Sequence, residues 1–360
     1  MTASLEERIT RFVRHDVQGM HAYAVQDSAG LIKLDAMENP HRLPETLRAE
    51  LGRRLGEVAI NRYPGARIDV LRRALERHAA MPEGCSLMLG NGSDELISLL
   101  AMACDVPGAT VLAPVPGFVM YEMSARLQGL RFVGVPLTPD FELDAKAMLD
   151  AVHEHQPSLV YLAYPNNPTA NLWNDEAIER IVEAAPGLVV IDEAYQPFSS
   201  RSYIGRLAKH PHVLLMRTLS KFGLAGVRLG YLIGRSALIG EIDKVRPPYN
   251  VSVLNCEAAL FALEHEDEFA RQASVLRNER SRLMHSLASI PGAAPFPSEA
   301  NMILVRVPDS KAAFEGLRER GVLVKNVAGL HPLLANCLRL TVGLPHENDR
   351  MLTALKEALS

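Results

Sequence analysis

The sequence predicts an α/β protein, a mostly parallel sheet buried between helices and joined to a smaller α+β domain. Three observations lead there. Short apolar runs at 86–89, 110–113, 131–135, 158–163, 188–191 and 213–216 alternate with helical patterns, as strands covered on both faces do. Asn167, Asp192 and Lys221 fall just beyond three of these runs, spaced by about one βαβ repeat of roughly 30 residues. From about residue 250 a long amphipathic helical run leads to strands expected at 301–307, 322–325 and 337–342, with helices between them. That mix suits a small second domain. In parallel sheets ligands sit beyond the carboxyl ends of the strands, so the amide, the carboxylate and the amine are expected to converge.

In chain order, residues 1–45 read as a helix and an extended arm, with a short strand at 32–35 that Glu38-Asn39-Pro40 breaks. Helical apolar spacing covers 45–55 and 69–80, and the turn-rich Asn61-Arg62-Tyr63-Pro64-Gly65-Ala66-Arg67 lies between them. Gly90-Asn91-Gly92-Ser93-Asp94-Glu95 feeds an apolar helix at 96–104. A glycine turn opening a helix offers free N–H groups and the positive dipole end to an anion. A plain cap by Ser93 or Asp94 explains the same residues. With its third glycine missing, the motif is not a dinucleotide fingerprint. Further helices are expected at 120–127 and 175–184. The expected divisions are an N-terminal arm at 1–47, a large domain at 48–262 and a small one at 263–360.

With 48% hydrophobic and 22% charged residues, the 360-residue chain can bury a substantial core. A formal net charge of -4 gives no reason to expect nucleic acid or an anionic membrane as partner. Cys85, Cys104, Cys256 and Cys337 are far apart and read as reduced thiols without metal-ligand spacing. Residues 1–20 lack the apolar core of a secretory signal, and no apolar run nears the ~20 residues that span a bilayer. A cytoplasmic protein is expected. His153 and His155 form an H-x-H with no further ligand at metal spacing, so no metal is expected there.

The chemistry centres on Arg217-Thr218-Leu219-Ser220-Lys221-Phe222-Gly223 and the Arg228 that follows. A lysine amine is a nucleophile only when neutral, and a nearby arginine supplies a positive field and a phosphate clamp. These residues suit an aldehyde cofactor that also carries a phosphate. Pyridoxal phosphate needs an amine, an acid at the ring nitrogen, donors to the phenolic oxygen, a flat partner and an anion cradle. Lys221, Asp192, Asn167 with Tyr195, and Phe118 fill the first four roles. Gly92, Ser93, Asp94, Thr218, Ser220 and Arg228 make the cradle.

Gly90 to Glu95, Pro165 to Thr169, Val190 to Tyr195 and Thr218 to Tyr231 resemble the motifs of fold type I pyridoxal-phosphate aminotransferases. The resemblance covers nearly the whole chain and implies a seven-stranded large-domain sheet. Glu38-Asn39-Pro40, Asn61-Arg62-Tyr63-Pro64-Gly65 and Cys337-Leu338-Arg339-Leu340-Thr341-Val342-Gly343 narrow it. Within the family the chain is similar to the histidinol-phosphate aminotransferases. That implies amino transfer between histidinol phosphate and 2-oxoglutarate, giving imidazole-acetol phosphate and glutamate, by ping-pong kinetics. It also implies catalysis by Lys221 with Asp192 and Tyr195, and a homodimer in which Tyr63 reaches the partner subunit's cofactor phosphate. Arg339, Lys325, Tyr23 and Asn167 would then bind substrate.

Four positions depart from the family pattern. Ala170 stands where glycine is usual and is expected to keep a negative φ. Met37 stands where asparagine is common. Lys221 and Arg228 are one residue closer than in many relatives, so their loop must close differently. Lys325 stands where a second arginine is expected, and a lysine supplies charge without a bidentate fork. An aromatic amino-acid aminotransferase or a phospho-amino-acid decarboxylase would use the same cofactor residues. A cofactor-sensing regulatory module would need a DNA-binding segment, which the first 30 residues are too short and too weakly basic to form.

Overall fold

The computed structural model describes residues 4–20 and 26–360; Tyr23 lies outside them. Met1–Gly30 and Leu31–Ser360 form two compact units. In the first, α1 (Leu5–Phe12) opens with a capping box in which Ser4 and Glu7 satisfy each other's backbone N–H groups. The short α2 (His15–Gln18) follows.

The second unit starts with β1 (Ile32–Lys33), α3 (Glu45–Gly56) and α4 (Arg67–His78). Strand–helix repeats come next: β2 (Cys85–Gly90), α5 (Gly92–Ala103), β3 (Thr110–Val115), α6 (Val119–Gln128), β4 (Arg131–Pro136) and α7 (Ala145–His155). They continue through β5 (Leu159–Ala163), α8 (Asp175–Ala184), β6 (Leu188–Asp192), β7 (Val213–Thr218) and β8 (Gly230–Arg235). The seven strands β2 to β8 form one sheet in the order β2-β8-β7-β6-β5-β3-β4. Strands β7, β6, β5, β3 and β4 run parallel, while β8 is antiparallel to both neighbours. Strand β8 was not expected from the sequence; its apolar run is only the three residues Tyr231-Leu232-Ile233 between Gly230 and Gly234.

Alternation along these strands divides two cores. Leu87, Val160, Leu162, Val189, Ile191 and Leu215 point to one, and Met88, Leu159, Tyr161, Val190 and Leu214 to the other. Both faces are therefore covered, which is why the strands read as continuous apolar runs rather than alternating ones.

The chain continues through α9 (Ser236–Ile242), α10 (Val253–Glu264), α11 (Glu266–Ala288), β9 (Ala294–Pro295), β10 (Met302–Arg306) and α12 (Ser310–Glu319). It ends with β11 (Val322–Leu323), β12 (Lys325–Asn326), β13 (Cys337–Thr341) and α13 (Pro345–Ala358). An antiparallel sheet forms in the order β12-β13-β10-β9, and β11 pairs in parallel with β1. Two expectations need correcting. The single helical run from residue 250 is two helices broken at His265, and the strand expected at 322–325 divides at Val324 to serve two sheets. Among the described residues no helix is long and apolar enough to cross a membrane.

Ala170 also departs from expectation: its φ is +67°. A left-handed alanine costs about 1–2 kcal/mol. Offsetting this, its N–H donates to the Asn166 carbonyl at 2.9 Å and its own carbonyl accepts from Glu299 N–H at 2.7 Å. Its methyl joins a core with Leu34, Tyr195 and Phe198, where a buried carbon of that size contributes about 0.8 kcal/mol.

Just past β6, the Glu193 side chain is 0% exposed and pairs with Arg217 of β7, 7% exposed, at 2.9 Å. Ser202 Oγ donates to the same carboxylate at 2.9 Å and accepts from Arg217 at 3.0 Å. Removing one member of such a pair strands a buried charge. Arg217→Met should therefore cost about 3–5 kcal/mol in denaturant unfolding; a loss below about 1 kcal/mol would make the pair no stronger than a surface one.

Candidate active site

Parallel register brings the ends of three strands level: Ala163 of β5 pairs with Asp192 of β6, and Asp192 with Met216 of β7. The loops beyond them border a cavity of about 410 Å³. Asn167, Asp192 and Lys221 line it, as their spacing led one to expect, together with Tyr195, Phe118, Ser93, Asp94, Thr218, Ser220 and Arg228.

Asp192 ends β6 instead of following it. Its Oδ1 accepts from Ala194 N–H at 3.0 Å and its Oδ2 from Tyr121 O–H at 2.6 Å. Neither donor carries a positive charge. Burial pushes this carboxyl up to about 6, against the pull of the Tyr121 hydrogen bond.

Lys221 lies in a wide turn, Ser220–Leu224. Nζ donates to the Ala36 carbonyl at 3.1 Å and stands 5.9 Å from the Tyr195 ring centroid. Burial first, and then the positive field of Arg339, lower its amine to about 8. The neutral, nucleophilic form is thus accessible near neutrality.

At the next edge, α5 begins at Gly92 after Asn91, and no side chain caps it. Ser93 and Asp94 therefore occupy the first turn and do not serve as caps. Arg228 donates to Asp94 Oδ2 at 3.1 Å and to Ser220 Oγ at 3.4 Å; Thr218 Oγ1 donates to Ser220 Oγ at 3.0 Å. Gly92 sits at φ +79°, where an added Cβ would lie 2.7 Å from the Arg228 guanidinium. A Cβ on Gly230 would meet Ser93 N at 2.8 Å. Only bare backbone lets β8 approach α5 this closely. The short connection from Lys221 closes through a 3-10 turn, Ala225–Val227, and a left-handed Arg228 at φ +53°. The arginine reaches the uncapped helix end despite the missing residue.

Arg339 of β13 donates to Asn167 Oδ1 at 2.7 Å and to the Asp35 carbonyl at 2.8 Å. Lys325 is its register partner on β12, so the two cations share one face of the antiparallel sheet. Tyr63 is not part of the cavity: it is 74% exposed and stacks on Tyr249 with ring centroids 4.2 Å apart.

The sequence reading assigned no site role to Tyr121, Ala36, Met37 or Glu38, all of which line the cavity. The i, i+3 spacing of Phe118 and Tyr121 on a helix start could have flagged the tyrosine. Residues 36–38 arrive from another part of the chain and gave no such signal.

The lysine environment has a measurable consequence. Only the neutral amine reacts with a small electrophile, so the rate of reductive methylation at Lys221 should rise through a midpoint near 8. A free lysine-type amine in solution does so near ~10.4. A Lys221 midpoint at that free-amine value would contradict the desolvated site.

The chain matches the family Aminotransferase class I and II over residues 29–355. It is 79% identical over 359 residues to a histidinol-phosphate aminotransferase of Methylibium petroleiphilum, covering 99% of this chain and 97% of that one. A counterpart from Polaromonas naphthalenivorans is 66% identical over 360 residues, with 99% of each chain covered. Among solved structures, histidinol-phosphate aminotransferase from Sinorhizobium meliloti in complex with pyridoxal-5'-phosphate superposes with a TM-score of 0.85. It is 27% identical and covers 97% of this chain and 98% of that one. With its mostly parallel sheet, its half-buried lysine and these relatives, the chain belongs to the class I and II aminotransferases.

Proposed function

We propose that the chain exchanges an amino group between L-histidinol phosphate and 2-oxoglutarate, giving imidazole-acetol phosphate and glutamate in histidine biosynthesis. One observation carries this reading. A single cavity gathers Lys221, Asp192 and Asn167 in a chain whose full-length relatives bear that enzyme's name.

The residues fit pyridoxal phosphate. Asp192 is a buried carboxylate held by two neutral donors, so a cationic ring nitrogen would be its missing counter-charge. The uncapped start of α5, with Thr218, Ser220 and Arg228, suits a phosphate. Phe118 offers a ring face, and Asn167 and Tyr195 offer donors to the phenolic oxygen. When bound, the cofactor supplies an aldehyde for the amino group and a protonated ring that takes up electron density.

The chain's own groups do the rest. Lys221 Nζ would accept the proton from the amine-bearing carbon of the substrate and deliver it, across the nitrogen, to the cofactor's aldehyde carbon. Asp192, as a carboxylate, holds the proton on the ring nitrogen. Arg339 meets the phosphate of one substrate and a carboxylate of the other with the same planar fork, and Lys325 adds charge beside it. Because one pocket takes both substrates in turn, ping-pong kinetics follow.

We also infer a homodimer in which Tyr63 reaches the partner subunit's cofactor phosphate. The exposed Tyr63–Tyr249 stack supports it, since a large aromatic pair left open to solvent suits an interface. A cytoplasmic setting agrees with four unpaired cysteines.

The deciding experiment is a spectrum followed by an assay. Lys221→Ala should abolish the visible absorbance of protein-bound pyridoxal phosphate and all turnover, and retained activity would remove Lys221 from its role. Wild-type kcat/KM with histidinol phosphate should exceed that with phenylalanine by about tenfold or more, equivalent to about 1.4 kcal/mol; a reverse preference, or faster decarboxylation of phosphothreonine, would overturn the substrate. Arg339→Ala should slow both half-reactions, and a loss in only one would require a second anion site.

A further inference from the structure

We propose that Tyr121 is a positioning residue for the transfer reaction: its hydroxyl anchors Oδ2 of Asp192 and so aims the carboxylate at the cofactor's ring nitrogen. This rests on the reading of Asp192 given above. The hydrogen bond is short, 2.6 Å, and wholly buried. Its donor cannot swing away, because the Tyr121 ring stacks on Tyr161 at 4.3 Å and 8° and takes the edge of Phe118 at 5.7 Å and 86°. One turn of α6 thus carries the ring wall at Phe118 and, three residues on, the group that holds the acid.

The other groups around Asp192 explain why it needs a donor. From α5 comes Asp94, and beyond the end of β6 come Glu193 and Tyr195; from β5 comes Tyr161. Asp94 and Glu193 both favour protonation of the carboxyl, as burial does. Against them stand two short-range donors, the Ala194 N–H and the Tyr121 O–H. The amide fixes Oδ1 through an Asx turn. The phenol fixes Oδ2, so together they set the plane of the carboxylate. A protonated Asp192 would compete with the ring nitrogen for the one proton that must reside on the ring.

Tyr121→Phe removes the hydroxyl and keeps both ring contacts. In cofactor-free protein carrying ¹³C-labelled aspartate, the Asp192 carboxyl should titrate about one pH unit higher in the variant. A more acidic, ring-fluorinated tyrosine at 121 should move the midpoint the other way. In holoenzyme, Tyr121→Phe should weaken pyridoxal phosphate binding about tenfold, equivalent to about 1.4 kcal/mol, and this loss should vanish in an Asp192→Asn background. An unmoved carboxyl titration, or an equal loss of affinity with and without Asp192, would overturn the proposal. If Asp192→Asn alone binds cofactor as tightly as wild type, the ring-nitrogen reading of Asp192 fails, whatever the titration shows for Tyr121.

Discussion

The site depends on the carboxyl ends of β6 and β7 being held at one height. Glu193 immediately follows Asp192, and Arg217 immediately precedes Thr218, so the ion pair between them ties the acid's strand to the lysine's loop. Burying two charges is costly, and their attraction repays it only when the remaining polar atoms are satisfied. Here Ser202 and the Tyr203 N–H complete the carboxylate's shell. Such a network tolerates little change in geometry. Parallel pairing sets strand register to within a residue, and the ion pair holds the side chains beyond it.

That rigid edge lets two opposed titrations coexist. Burial drives Asp192 and Lys221 alike toward their neutral forms, raising the acid to about 6 and lowering the amine to about 8. The folded-state amine lies below its usual value, so its contribution to stability is lost as pH falls through about 8. The acid lies above its usual value, and its contribution is lost as pH rises through about 6. Between these two values neither group is in the form its surroundings favour. A ligand that brought a positive ring to the acid and reacted with the neutral amine would relieve both, and its binding would then add to stability.

The remaining wall belongs to the antiparallel sheet. Met37 N–H donates to Thr341 Oγ1 at 3.0 Å, Asn301 Nδ2 donates to the Met37 carbonyl at 3.0 Å, and Arg339 holds the Asp35 carbonyl. Residues 35–37 are thereby pinned beside Lys221, with Met37 left-handed at φ +51°. The segment that receives the lysine's hydrogen bond is thus carried by the same strand that presents Arg339. Arg339 and the Lys221 amine are thereby mechanically joined through β13.

Much of this was legible in the chain alone, for a local reason. Continuous apolar runs with turn residues at a regular repeat specify parallel strands, and parallel strands place their following loops on one edge. Asn167, Asp192 and Lys221 could therefore be brought together before any coordinates. Strand β8 escaped because its apolar run is only Tyr231-Leu232-Ile233, cut short by a glycine on each side, and Ala170 misled because its left-handed backbone is held by Asn166, Glu299 and a core assembled from remote residues. The Tyr121–Asp192 contact, the place of Met37 and the Glu193–Arg217 pair depended on tertiary structure. Their partners lie far away in sequence, and a hydrogen bond between remote side chains leaves no periodicity to read. Local pattern determined which elements form and where the loops emerge; long-range packing decided which atoms touch.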